Sequence, residues 1–218
     1  VVDLPDQQAI DAFLPTLNVP HRLRFDHPTT VGGLTWPRET EHHRHEIQKA
    51  MERVPAVFDE ALDEFERIFN RRPHGAMEPY RTEDAETVLV ACNTMARTAR
   101  RVVDDHRKRG HRIGMVQAKM FRPFAGAALR EAIGPATRVG VLDRNHSPGS
   151  GGVFWQEALA ALRSRPDVLV QDYIVGLCGG DVTPEILEQV VSNLLTRSNA
   201  DEPVWQEAGP NMHIIGGN

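Results

Sequence analysis

Cysteine is nearly missing from this sequence. Its 218 residues hold two, Cys92 in an apolar run and Cys178 in a glycine-rich turn. An iron–sulfur cluster usually takes four thiolates, so two separated cysteines exclude one held by this chain alone, and nothing indicates a disulfide. An excess of positive charge is missing too. Lys and Arg number 25 against 30 Asp and Glu, a net −5, which leaves no electrostatic footprint for nucleic acid. No uncharged apolar run approaches the roughly 20 residues that cross a bilayer, and no leader pattern is visible. The expected setting is cytoplasmic, with no membrane or nucleic-acid partner. The first residue is Val1 rather than methionine, as expected of a piece of a longer protein.

Ready-made catalytic motifs are also scarce. The stretch "LDRNHSPGSGG", Leu142 to Gly152, lies between an apolar run and a helix-like segment. It lacks the Gly-Lys-Ser/Thr ending of a phosphate-binding P-loop. Gly149, Gly151 and Gly152 sit too close together for a G-x-G-x-x-G fingerprint. "EHHRHE", Glu41 to Glu46, places His42 and Glu46, and Glu41 and His45, one helical turn apart. The H-E-x-x-H order of zinc hydrolases is absent, so a solvated helix face is expected and no metal. No Ser/His/Asp triad follows from spacing.

What is present is the pattern of a globular α/β protein, 40% apolar and 25% charged. Residues 1–36 carry Pro5, Pro15, Pro20 and Pro28, which excludes a long helix. They read as an extended connector whose Leu4, Phe13, Leu14, Leu17 and Trp36 pack on the domain surface or on a second copy. Residues 37–75 read as a helical arm, with Ile47, Met51, Val54, Phe58, Leu62, Phe65 and Phe69 at steps of three and four. Pro37 suits its first turn, and Pro55 predicts a kink or break near Met51 to Val54.

Residues 76–197 alternate four apolar runs, "TVLVAC", "RIGMV", "RVGVL" and "VLVQDYIV", with helix-period segments. Runs without strict polar alternation suit strands buried on both faces, so a parallel sheet between two helical layers is predicted. "GAMEPYR" adds an edge strand, where Pro79 is tolerated. The last helix has Thr183 as N-cap and Pro184 at its first position. "RRVVDDHRKR" reads as a solvated helix face with paired charges. Residues 198–218 read as a polar, mobile tail.

Strand ends are where open α/β sheets bind ligands, so three loops are candidate sites. The glycine loop, with Arg144, Ser147, Gly149, Gly151 and Gly152, is either a packing turn or, through the amides of the following helix, an anion site. Arg122 in "FRPF" could grip a carboxylate or phosphate, or pair internally with Asp143 or Asp181. Asp181 in "GLCGGDVTPE" could bond back into its own turn.

The order "EPYRTEDAE…VD..R..G…FRPF…VGVLDR..S.G.GG…Y..GL.GGDVT", with "LPDQQAIDAFLP", "HPTTVGGL" and "HRHEIQKAM" before it, resembles the pyruvate:ferredoxin oxidoreductases within the wider 2-oxoacid:ferredoxin oxidoreductases. The likeness runs from residue 1 to about 197 and is to domain II of the alpha subunit. That resemblance implies a three-layer α/β/α fold like the C-terminal domain of transketolase-like enzymes, with a mostly parallel five-stranded sheet and one antiparallel edge. The family enzyme decarboxylates a 2-oxoacid on thiamine diphosphate and magnesium. It passes electrons through iron–sulfur clusters to ferredoxin or flavodoxin and makes an acyl-coenzyme A. Its cofactors lie in other domains or subunits, so no catalytic or cofactor-binding residue is carried over to this chain. The resemblance also shows two departures: Cys178 stands where family members commonly have glycine, and Gly180 where they have arginine.

The leading expectation is a structural and assembly domain of such an oxidoreductase, not catalytic by itself, within a homo-oligomeric complex. One rival is a small-molecule domain taking coenzyme A or phosphate at the strand ends, which requires Arg122, Arg144 and the glycine amides to converge on an empty pocket. The other is a stand-alone interaction module with residues 1–36 as a clasp.

Overall fold

The computed structural model describes residues 4–14, 16, 17, 19, 22–29 and 32–206. The chain forms two compact units, one ending at Gly75 and one beginning at Ala76.

The first unit is helical. Asp6 caps α1 (Gln7–Phe13), its Oδ1 accepting the Ala9 amide at 2.8 Å. The prolines that exclude a long helix here thus leave room for a short one. Helix α2 (Pro37–Phe69) opens with Pro37 in its first turn and with the Glu39 carboxylate accepting the Trp36 amide at 2.9 Å. It runs unbroken through Pro55, so no break occurs at Met51 to Val54. Asn70, in the left-handed region at φ 49°, ends it. Phe13 meets Phe65 and Phe69 edge-on, with centroids 5.4 and 5.7 Å apart, and so fastens α1 to α2. Leu4, Leu14, Leu17 and Trp36 are exposed in the chain by itself.

The second unit is a sheet between helices. Strands β1 (Met77–Tyr80), β2 (Thr87–Cys92), β3 (Ile113–Ala118), β4 (Arg138–Asp143), β5 (Leu169–Ile174) and β6 (Val204–Trp205) lie in the order β1-β3-β2-β4-β5-β6. All pairs are parallel except β1 with β3. The four predicted runs are the four central strands. Pro79 sits on the antiparallel edge, where its missing N–H leaves no ladder position empty.

Helices α3 (Asn93–Lys108) and α6 (Pro184–Thr196) pack on one face, and α4 (Gly126–Ala132) and α5 (Val153–Leu162) on the other. Each face has its own core. Leu89, Met115, Leu142 and Tyr173 meet α3 and α6; Val88, Val116, Val139 and Val141 meet α4 and α5. Each such aliphatic side chain contributes about 1.5–3 kcal/mol through burial. Thr183 caps α6 as predicted, accepting the Ile186 amide at 3.4 Å. Ile186, Leu187, Val190, Val191 and Leu194 are its buried stripe, while Leu195 is half-buried.

Two features depart from the sequence reading. The sheet has six strands rather than five, because Gln171 reaches out of β5 to the segment before β6. Its Nε2 donates to the Glu202 carbonyl at 3.1 Å, and its Oε1 accepts the Asp201 amide at 3.0 Å. A two-residue strand held this way has no periodicity to read. Nor is "RRVVDDHRKR" all solvated. His106 is 2% exposed. Arg107 donates to the Arg81 carbonyl at 2.7 Å and Asp84 at 2.9 Å, and Asp104 accepts the Tyr80 hydroxyl at 2.9 Å. These charged side chains fasten α3 to the β1 side of the sheet.

Candidate functional site

The chain leaves β2 for β3 on one side and returns to β4 on the other. The loops after β2 and β4 therefore diverge, and their carboxyl ends form the crevice where such sheets take ligands. A cavity of about 380 Å³ lies there, lined by Cys92, Asn93, Ala118, Lys119, Phe121, Asp143, Arg144, Asn145 and Phe154. Lys119 is paired with Glu78 at 2.7 Å. The Cys92 thiol is held above its ordinary pKa by burial, so the cavity presents a thiol rather than a thiolate.

The glycine loop closes on itself. Ser147 and Gly151 exchange backbone bonds, the Ser147 amide donating at 2.8 Å and the Gly151 amide at 3.1 Å. Gly149 and Gly151 sit at φ 80° and 87°, a region closed to most side chains. The amides at the start of α5 do not face solvent. Asp172 Oδ2 accepts the Gly152 amide at 2.7 Å. Asn145 accepts that of Val153 at 3.1 Å. Asp143 Oδ2 accepts those of Phe154 and Trp155 at 2.7 and 2.9 Å. Gln156 already donates within the helix, to the Gly152 carbonyl at 3.1 Å. The groups an anion would need are taken by the protein's own side chains.

The arginines are occupied as well. Arg144 donates to the carbonyls of Gly176 and Gly180 at 3.2 and 3.1 Å and clamps the turn after β5. Arg122 pairs with Glu157 at 2.7 Å and lies over the Phe121 ring, 4.2 Å from its centroid. It does not pair with Asp143 or Asp181 as the sequence suggested, because Asp143 is committed to the helix amides and α5 brings Glu157 within reach. Asp181 is exposed. Its turn is closed instead by the Gly180 amide on the Leu177 carbonyl at 3.0 Å and by Arg144. Arg144 lines the crevice cavity. Gly149 and Gly151 line a second cavity of about 650 Å³ with His146, Trp155 and Trp205, and Arg122 lines neither. Arg122, Arg144 and the loop glycines thus do not meet in either of these two cavities.

The sequence reading missed the residues on which the loop rests. Asp143 and Asp172 are each 1% exposed. Burial raises the carboxyl pKa of both against the pull of the helix amides. The available signal was an acid inside "VLVQDYIV" and another closing "VGVLD", where a buried strand should hold none unless it is bonded.

These contacts generate two predictions. A Cβ on Gly152 would lie 2.4 Å from Asp143 Oδ2 and 2.7 Å from its Cγ, whereas one on Gly149 would meet nothing within 4 Å. Gly152→Ala should therefore destabilise the chain by about 1–3 kcal/mol in urea denaturation, and by more than Gly149→Ala does. Cys178 occupies the left-handed region at φ 54°, the conformation glycine adopts freely. Cys178→Gly should raise the unfolding free energy by about 0.5–1 kcal/mol, seen as a higher urea midpoint, because relief of a left-handed Cβ outweighs added chain entropy.

Comparison with known proteins fits this architecture. Residues 85–187 match the family model described as pyruvate:ferredoxin oxidoreductase core domain II. The chain is similar to pyruvate synthase subunit PorA of Methanothermobacter thermautotrophicus, 38% identical over 87% of this chain and 49% of that protein. It is similar to PorA of Pyrococcus furiosus, 32% identical over 93% of this chain and 52% of that one. Ketoisovalerate oxidoreductase subunit VorA of Pyrococcus horikoshii is 33% identical over 89% of this chain and 50% of its own. The chain thus spans about half the length of these relatives. By the matched stretch from Ala85 to Leu187 and these relatives, the chain belongs to the pyruvate:ferredoxin oxidoreductase family, and residues 85–187 match its core domain II.

Proposed function

We propose that this chain is a structural and assembly domain of a 2-oxoacid:ferredoxin oxidoreductase, with pyruvate as the 2-oxoacid. The whole enzyme would use thiamine diphosphate, magnesium and iron–sulfur clusters, and would make acyl-coenzyme A and reduced ferredoxin or flavodoxin. The observation that carries the non-catalytic role is the saturation of the strand-end groups. The first-turn amides of α5 are held by Asp143, Asp172 and Asn145, and Arg144 and Arg122 are bound to internal acceptors.

The donor sets agree. Cys92, which ends β2, and Cys178, in the turn after β5, are free, and two thiols do not make a cluster site. Magnesium with a pyrophosphate takes carboxylate oxygens that face the ligand, whereas the outer oxygens of Asp143 and Asp172 face backbone amides. Among the described residues no three His, Cys, Asp or Glu side chains gather as a metal site, and no helix is long and apolar enough to cross a membrane. We assign the cofactors to the remaining domains or subunits of the complex, and propose that the complex is a homo-oligomer in a cytoplasmic setting. Exposed Leu34, Trp36, Ile47 and Met51 give the first unit apolar area for those partners.

Pyruvate similarity rests on the PorA relatives, and the ketoisovalerate relative keeps a branched 2-oxoacid as the second reading. Reconstitution tests the proposal. This chain alone, given pyruvate, coenzyme A and ferredoxin, should reduce no ferredoxin. Mixed with the thiamine- and cluster-carrying parts of the enzyme it should restore turnover, with pyruvate preferred over 3-methyl-2-oxobutanoate. Ferredoxin reduction by the chain alone, or full activity of the other parts without it, would refute the assignment.

A further inference from the structure

The cavity at the glycine loop has walls of a different chemistry from those of the crevice. It holds about 650 Å³ between that loop and the segment entering β6, and Trp155, Trp205, His146, Gly151, Glu202 and Pro203 line it. Several of these walls are fixed in advance. Trp155 Nε1 donates to the Val170 carbonyl at 3.3 Å. A Cβ on Gly151 would stand 3.2 Å from the Trp155 ring, so the bare glycine backbone packs on that indole. The Trp205 ring lies 4.6 Å from that of His146, centroid to centroid, yet Trp205 is 54% exposed. The Glu202 carbonyl accepts Nε2 of the buried Gln171 at 3.1 Å, and Pro203 stiffens the next step of the chain.

The charge offered here is negative and unanswered. The Glu202 side chain is exposed, and among the described residues none pairs with it or donates to it. No Lys or Arg lines the cavity. Arg197 is taken by Asp201 at 2.8 Å, and Arg144 by the carbonyls of Gly176 and Gly180. His146 serves as counter-charge to Asp143 and Asp172 beneath the loop.

We propose that this cleft receives the guanidinium group of an arginine side chain from another part of the oxidoreductase, stacked on its indoles and bonded to Glu202. The occupant rests on the structural and assembly role proposed above; the cleft rests on its own chemistry. Indole is the best π-face for a cation. A guanidinium is planar, so it lies on an indole while two of its N–H groups meet a carboxylate side by side. An ammonium makes the ion pair but has no plane to stack. The volume exceeds what one guanidinium fills, which leaves room for the residues flanking an arginine in a chain. Residues 207–218, which follow β6, contain no Lys or Arg, so they do not supply the cation. The chain spans about half the length of its PorA relatives, and the remainder of such an enzyme is the source argued for.

Titration of N-acetyl-arginine amide into the isotope-labelled chain tests the cleft by NMR. The indole N–H signals of Trp155 and Trp205 should shift together with a dissociation constant of about 1 mM. The neutral isostere N-acetyl-citrulline amide should leave them in place. Glu202→Gln and Trp205→Ala, both at exposed positions, should each weaken the probe about tenfold. In size-exclusion runs with the thiamine- and cluster-carrying parts of the enzyme, Glu202→Lys should be incorporated about tenfold less well than the wild type. Unmoved indole signals, equal binding of the citrulline compound, undiminished binding by Glu202→Gln, or normal incorporation of Glu202→Lys would overturn the proposal. A wild-type chain that binds the arginine probe but never joins the other parts would sink the assembly role, and the partner arginine with it, while the guanidinium cleft stood.

Discussion

Everything at the strand ends depends on how the start of one helix is satisfied. A helix leaves its first amides without partners. In α5 these are met by Asp143, Asn145 and Asp172, which come from two adjacent strands and the loop between. That arrangement dictates the loop. Gly152 has no room for a Cβ beside Asp143, and Gly151 must turn at φ 87° beside Asp172. Gly151 and Gly152 of "SPGSGG" make room for the Asp172 and Asp143 carboxylates at the start of α5.

Neighbouring contacts reinforce this closure. Arg144, next to Asp143, holds the turn after β5 through two carbonyls. Phe154, in the first turn of α5, meets Phe121 and Phe124 edge-on with centroids 6.2 and 6.0 Å apart. These contacts join three of the loops at the carboxyl ends. A domain built this way presents a braced surface to its neighbours and keeps few groups free for chemistry. That combination supports the structural and assembly role proposed for it.

The layers, the four central strands, the edge position of Pro79 and the capping of α6 were legible because each has a local signature in apolar period, proline or cap. The second unit's sixth strand was not, since Val204 and Trp205 are placed by the buried Gln171 rather than by any pattern of their own. The glycines marked the candidate loop as a place where the chain turns, but what fills it was hidden. Whether helix amides meet a ligand or a side chain depends on residues far apart in sequence. Asp172 lies 20 positions from Gly152, and only the sheet register brings them together. Arg122 shows the same limit: its partner Glu157 is 35 residues away, and Asp143 and Asp181 looked equally available. The position of Cys178 is the converse case, since a departure noticed in the sequence falls on a left-handed residue.

The central claim is that this domain holds no part of the thiamine site by itself. Calorimetric titration of thiamine diphosphate and magnesium into the purified chain tests it most directly. The account predicts no saturable heat at ligand concentrations where the assembled enzyme is filled. Saturable binding at about micromolar dissociation constant, worth roughly 8 kcal/mol, would contradict it and place the cofactor on this chain.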